Sequence, residues 1–183
     1  SPGTGHAVNA TDGVITSYYH SCYSGDNQPN REDGALTGNN TITVELQNAQ
    51  SIQGITYLPR QDAFGNGTVT EFSVSVQKDG TENWENVGNN LHISYNNPGA
   101  NWSAENKSEK EFVFDAEVEN VKKVKLTVIH TDGSAPNQHI SAAEISILTP
   151  VKKDAETEAL KIRIREKLAQ MESQMELNVL SGN

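Results

Sequence analysis

The chain has 183 residues, 34% of them apolar, which is enough for one domain with a core plus a small appendage. Its formal charge of −10, from 14 Lys and Arg against 24 Asp and Glu, excludes the basic footprint that nucleic acid or an anionic membrane surface requires. The single cysteine, Cys22, excludes an intrachain disulfide, and no apolar run approaches the ~20 residues that cross a bilayer.

The N-terminal segment carries Asp12-Gly13, a turn signal, and then a polar-aromatic stretch from Ser17 to Ser21. No charged-then-apolar leader opens the chain, so any export signal is expected to have been removed or to lie upstream. Apolar residues then alternate, as in half-buried strands. Ile42, Val44 and Leu46 make one set, followed by Asn48, and a short run spans Ile52 to Leu58. Phe72, Val74 and Val76 make the next, ended by Lys78-Asp79-Gly80. Shorter runs lie at Phe112 to Phe114 and at Ile145 to Leu148, with Val124, Leu126 and Val128 between them, closed by Asp132-Gly133. Nineteen Asn and 14 Gly residues supply the turns. Short strands separated by polar turns predict an all-β antiparallel β-sandwich over residues 1–149. Five Asn-x-Ser/Thr sequons occur, at Asn9, Asn39, Asn66, Asn101 and Asn106; in a chain this rich in Asn, Ser and Thr, chance explains them.

The pattern changes near Pro150. Residues 1–149 hold 8 basic and 18 acidic residues, so they carry the whole net charge; residues 150–183 hold six of each sign. Leu160, Ile164, Leu168, Met171 and Met175 are spaced by four, four, three and four, which is one stripe on a C-terminal α-helix and close to a heptad seam. Asp154 is its expected cap and Gly182 follows its end. The stripe is expected to pack on the sandwich or lead into a neighbouring module. Self-association through the helix is the alternative, and three heptads are marginal for it.

Three segments carry a family resemblance. The first is Asn9-Ala10-Thr11-Asp12-Gly13 with Ser17-Tyr18-Tyr19-His20-Ser21. The second is Ile55-Thr56-Tyr57-Leu58-Pro59-Arg60-Gln61 with Gly65-Asn66-Gly67-Thr68-Val69, continuing through Phe72 to Val76, Asp79-Gly80 and Trp84. The third is His139-Ile140-Ser141-Ala142-Ala143-Glu144-Ile145. In this order they resemble the coagulation factor 5/8 type C (discoidin-like) domains, and more narrowly the bacterial family 32 carbohydrate-binding modules, over residues 6 to 149. The resemblance implies a discoidin-like jelly roll that is non-catalytic. It implies binding of terminal sugars of galactose, N-acetylgalactosamine or N-acetylglucosamine type. The module would belong to a larger secreted or surface-attached bacterial enzyme, with a glycan and the parent's other modules as partners. A discoidin-type adhesion module that binds protein or lipid through the same loops is the alternative, and the acidic charge argues against the lipid form.

The resemblance also implies a structural Ca²⁺ held by the Asn9 carbonyl, the Asp12 carboxylate, the Val14 carbonyl, Ser17, the Ala143 carbonyl and the Glu144 carboxylate. Six to eight hard oxygen ligands in irregular geometry suit that ion. The implied sugar contacts are His20, Arg60 and Asn66, with Tyr23 as a stacking aromatic. A guanidinium and a carboxamide bind vicinal hydroxyls, and an aromatic ring covers an apolar sugar face. Affinity on the order of 0.1–1 mM is expected for such an open site. His20 also reads as a buried structural histidine. Arg60 reads as a surface contact whose loss leaves stability nearly unchanged.

Four features depart from the family pattern. Gly3 stands where some relatives have an acidic sugar contact. No second aromatic lies between Asp132 and Gln138. The first strand of the domain is expected to be absent from residues 1–183, and Ser17 replaces a more usual threonine.

The remaining conspicuous residues carry no catalytic chemistry. His130, Asp132 and Ser134 lie too close along the chain to converge as a triad. The best carboxylate pair for glycoside cleavage, Asp12 and Glu144, is assigned to metal. Trp84, after a turn and before a strand, is expected in the core. Trp102 lies after a loop signal, and Cys22 reads as an inert thiol.

Overall fold

A computed structural model of the chain describes residues 5–22, 31–32, 35–95, 103–132, 139–150 and 160–172. A 3₁₀ turn spans Ala7–Ala10. Among the described residues nine strands follow: β1 (Tyr19–His20), β2 (Arg31–Glu32), β3 (Ala35–Leu36), β4 (Thr41–Leu58), β5 (Thr68–Lys78), β6 (Trp84–His92), β7 (Lys110–Asp132), β8 (Ser141–Ala142) and β9 (Glu144–Leu148). Seven form one sheet in the order β1-β8-β5-β7-β4-β9, with β6 beside β5, while β2 and β3 pair separately. The chain divides into two units, Ser1–Pro150 and Val151–Asn183.

The expected architecture is present, but the strands are longer than the alternation suggested. The runs at Ile42 and Ile52 are one strand: β4 passes through Asn48 without ending, and its register against β7 shifts between Glu45 and Gln50, again before Ile52, and again before Gly54. The runs at Phe112 and Val124 are likewise both within β7. Bulges of this kind bend a strand and raise its twist, so one strand serves both layers of the curled sheet. The core shows the result. Ile42 and Leu46 from the first half of β4 lie in the same buried cluster as Ile52, Ile55 and Tyr57 from its second half. Phe72 is fully buried and meets Phe112 edge-on, with ring centroids 4.8 Å apart. At the bend, a Cβ on Gly54 would stand 2.2 Å from the Phe112 carbonyl oxygen, so only glycine lets β4 and β7 approach there.

Two strand ends follow their turn residues. β5 stops at Lys78, and Gly80 takes φ +76°, the left-handed conformation that a tight turn after Asp79 needs. β7 ends at Asp132.

Trp84 departs from its expected place. It opens β6 opposite Gln77, away from the Val76 side, and it is 37% exposed with the Lys125 ammonium 4.1 Å from its ring centre. The side-chain period of two decides this: with Gln77 as partner, Trp84 takes the outer face.

In the second unit, residues 160–172 are α-helical. Leu160, Ile164, Leu168 and Met171 are each at least half exposed. Asp154, Met175 and Gly182 lie outside the described residues. No helix among the described residues is long and apolar enough to cross a membrane.

Candidate functional site

The short strands β1 and β8 bring distant residues to one end of the sheet. His20 pairs with Ser141, and Ser141 pairs in parallel with Thr68 at the start of β5. The Ser21 amide donates to the Ile140 carbonyl at 2.9 Å, and the Ile140 amide donates to Ser21 Oγ at 2.9 Å. Gly67, at φ +81°, lies against the backbone of His139, where a Cβ would stand 3.0 Å from a carbonyl oxygen. Tyr57 fastens this end from below. Its hydroxyl donates to the Ser141 carbonyl at 2.7 Å and accepts from the Val69 amide at 3.0 Å. Full burial pushes the Tyr57 phenol well above its usual range, so it stays a donor.

Arg60 follows β4 and is only 4% exposed. Its Nε donates to Asp62 Oδ1 at 2.7 Å, and Nη2 donates to Asp62 Oδ2, which completes a two-pronged ion pair. Nη1 donates to Asn66 Oδ1 at 3.0 Å, and Nη2 also donates to the Tyr18 hydroxyl at 2.8 Å. The guanidinium carbon sits 4.3 Å from the centre of the Tyr18 ring and 6.0 Å from that of Phe64. Burial works to raise the Asp62 carboxyl, but the Arg60 hydrogen bonds and charge outweigh it and hold the group below its ordinary value. Asp62 is therefore a carboxylate at neutral pH.

His20 is also buried, at 5% exposure, with its ring 5.0 Å from that of His139. Its Nδ1 lies 2.7 Å from the Ser21 carbonyl oxygen. A carbonyl only accepts, so the proton is on Nδ1, and the buried Nε2 carries the lone pair. Burial lowers the His20 pKa, partly opposed by the Ser21 carbonyl; burial also lowers that of His139. Both rings are neutral at neutral pH.

His20, Arg60 and Asn66 are thus brought to one end of the sheet, with Tyr18 between the first two: its ring is 6.5 Å from that of His20. Asn66 and Phe64 are the exposed members, Phe64 at 66%. Arg60 is not the surface contact expected of it; it is the buried pivot on which Asp62, Asn66 and Tyr18 are hung. Tyr23 lies outside the described residues, as do Trp102 and Ser134. Sequence reasoning assigned no role to Asp62, Phe64 or Tyr18. The available signals were an acid two residues after an arginine and an aromatic standing alone in a Gly- and Asn-rich loop. His130 faces Glu71, with Nε2 3.4 Å from a carboxylate oxygen, and takes no part in the site. Cys22 is an exposed free thiol.

The second cluster lies in the first loop. Asp12 Oδ1 accepts from the Val14 amide at 2.8 Å and Asp12 Oδ2 from the Ser17 hydroxyl at 2.7 Å. Ser17 Oγ also contacts the Val14 carbonyl at 2.9 Å. From β9, Glu144 Oε2 accepts from the Gly13 amide at 3.0 Å and so spans 131 residues of sequence. Asn9, in the 3₁₀ turn, donates through Nδ2 to the Tyr18 carbonyl at 3.2 Å. Ala143 is tied to β4 through its amide, 2.8 Å from the Leu58 carbonyl. Burial raises the Glu144 carboxyl, the Gly13 amide partly offsets this, and the Asp12 and Glu109 charges raise it further. Among the described residues no base pairs with Asp12 or Glu144, so the two acids leave the loop electrostatically unbalanced. Among the described residues no group of three or more His, Cys, Asp or Glu is placed to hold a metal. The donors present are two carboxylates, a hydroxyl and backbone carbonyls, a hard-oxygen set that fits Ca²⁺ and not a zinc-type ion.

Residues 1–145 match the F5/8 type C domain. The chain belongs to that family. Its fold is similar to CBM32-3 of a family 31 glycoside hydrolase from Clostridium perfringens, with a TM-score of 0.62 and 27% identity over 79% of this chain and 83% of the other. It is also similar to CpGH89CBM32-5 from Clostridium perfringens, solved in complex with GalNAc-β-1,3-galactose, with a TM-score of 0.55 and 26% identity over 79% and 84% of the two chains. A galactose oxidase of Gibberella zeae is 31% identical over 85 residues, which is 46% of this chain. The chain spans only 11% of that enzyme's length. This F5/8 type C domain therefore has family 32 carbohydrate-binding modules among its structural relatives.

Proposed function

We propose that the domain is a non-catalytic carbohydrate-binding module that takes a terminal sugar of galactose or N-acetylhexosamine type at the Arg60 end of the sheet. The reading is carried by one observation: an exposed carboxamide, Asn66, and an exposed ring, Phe64, are both held in place by the buried Arg60. Asn66 receives Nη1 on its oxygen, which turns its NH₂ group away from the guanidinium and toward a ligand's hydroxyls. Phe64 offers its face to an apolar sugar C–H surface. The neutral His20 is buried behind these groups, with its ring against that of His139.

A Ca²⁺ held by the Asp12 and Glu144 carboxylates, Ser17 and the carbonyls of Asn9, Val14 and Ala143 would neutralise the two acids and tie the first loop to β9. It would act on stability, with no part in chemistry on the sugar. The module would work outside a bacterial cell, within a larger glycan-active enzyme, keeping a catalytic domain near its substrate by raising effective concentration.

A glycan array of the chain in calcium, repeated with Asn66→Ala and Phe64→Ala, tests the site. Binding to terminal galactose or N-acetylgalactosamine glycans that both variants lose supports it. A blank array from folded protein, or binding unaffected by both variants, refutes it.

A further inference from the structure

Resting on that reading, we propose that the site selects uncharged sugars and discriminates against those bearing a carboxylate or sulfate, because its guanidinium is already neutralised by Asp62. A guanidinium with its fork open can recruit an anion as well as bind hydroxyls, since the planar fork matches a carboxylate in two parallel hydrogen bonds. Here that edge of the fork, Nε and one Nη2 proton, is closed by Asp62. The second Nη2 proton goes to Tyr18 and an Nη1 proton to Asn66.

What the site shows outward is set by Asp62 itself. Its side chain is 34% exposed, against 4% for Arg60, so an incoming ligand meets the carboxylate before the guanidinium. Among the described residues, His20, His139, Asn66 and Phe64 add no positive charge to the site, and the Lys107 ammonium beside it keeps its charge. His20 and His139 are buried and neutral, and Asn66 and Phe64 are uncharged. Lys107, on the neighbouring segment, donates its ammonium to the Gln61 carbonyl at 3.0 Å.

A uronate or sulfated sugar would therefore lose water from its anion and face a carboxylate in return, an arrangement that costs affinity. A neutral sugar meets the same Asp62 as a hydrogen-bond acceptor for its hydroxyls. The net charge of −10 repels anions at long range as well, but that effect is screened by salt far more than the contact with Asp62.

The test is titration calorimetry of the whole chain in calcium, at 0.15 and 0.5 M NaCl, with methyl galactoside, methyl galacturonide and galactose 6-sulfate as probes; the higher salt shortens the Debye length from about 8 Å to about 4 Å. Wild-type protein is expected to bind the neutral sugar at least about tenfold more tightly than either anion, at both salt concentrations. Asp62→Asn, checked for folding by its melting curve, is expected to narrow that ratio by about threefold or more, because it uncovers the charge of Arg60. Equal affinity of the wild type for neutral and anionic sugars overturns the inference while leaving the sugar site intact. A preference that vanishes at 0.5 M NaCl, or an unchanged ratio in a folded Asp62→Asn variant, also overturns it. If no probe binds at all, the sugar-binding reading itself fails and this inference falls with it. Should Asp62→Asn not fold, the wild-type ratio at the two salt concentrations still decides.

Discussion

Replacing Arg60 by alanine should unfold the domain at a markedly lower temperature as well as abolish sugar binding. A surface arginine would cost at most about 0.5 kcal/mol. Arg60 is 4% exposed and serves three side chains at once: Asp62, Asn66 and Tyr18. Hydrogen bonds to a charged group are worth about 1.5–3 kcal/mol each, and removing one partner of a fully buried ion pair costs about 3–5 kcal/mol. Asp62 is 34% exposed and takes up water once its partner is gone, and Asn66 is at the surface, so most of the loss is recovered there. The Tyr18 stack adds roughly 0.5–1 kcal/mol. The net expectation is about 2–3 kcal/mol, which in a domain of this size is a fall in Tm of roughly 5–10 °C. Scanning calorimetry in calcium measures it directly. A double-mutant cycle with Asp62→Ala should return a coupling energy of at least about 1 kcal/mol. A Tm within 2 °C of wild type (on the order of the ~0.5 kcal/mol of a surface change) would refute the buried-pivot reading and return Arg60 to a surface role. Loss of sugar binding in Arg60→Ala therefore does not by itself locate the ligand; the exposed residues Asn66 and Phe64 do.

Chelation should lower stability: for Ca²⁺ at about a hundred times its dissociation constant, EDTA removes about 2.7 kcal/mol, or roughly 5–10 °C of Tm, and neither Asp12→Asn nor Glu144→Gln should respond to calcium in that way. An EDTA-insensitive melting curve would rule out the metal. His20 and His139 have pKa values lowered by burial, so the folded state binds fewer protons than the unfolded one, and stability present above the unfolded value of about 6.5 is lost as pH falls below it. Urea midpoints should therefore drop between pH 7.5 and pH 5.5, and drop less in His20→Gln; a midpoint that rises would contradict the burial. Phe72→Ala should cost about 3–5 kcal/mol, because it opens a cavity against Phe112 in the centre of the core, measurable as a shift in the urea midpoint without loss of fold. Tyr57→Phe should cost about 1–3 kcal/mol, since it leaves the buried Val69 amide and the Ser141 carbonyl without the hydroxyl; an unchanged midpoint would show that the two strands do not depend on it.

The class of fold, the strand interiors and the change near Pro150 were legible in one dimension because each rests on local periodicity. Alternation of Phe72, Val74 and Val76 requires a strand with one buried face, and Lys78-Asp79-Gly80 stops it whatever it pairs with. The family resemblance implied that Asp12 lies with Glu144 and His20 with Arg60; in the structure Glu144 accepts from the Gly13 amide, and His20 and Arg60 flank Tyr18. Local pattern could not say that Ile42 and Ile52 share one bent strand, because a bulge is a mismatch between two strands and has no signature in one of them. Nor could it place Trp84, whose face is set by its register with Gln77.

The site divides in the same way. The family resemblance named Arg60, His20 and Asn66, whose side-chain types are able to bind hydroxyls. Burial is a property of everything packed around a residue, and only the folded chain made Arg60 an internal pivot, neutralised it with Asp62 and left Asn66 and Phe64 as the surface a ligand meets. Sequence thus determined the chemistry available at this end of the sheet, through side-chain type and strand period. Tertiary structure decided which of those groups are inside, which charges cancel and which donors remain turned outward, because each of these depends on contacts between segments as far apart as Tyr18, Arg60 and His139.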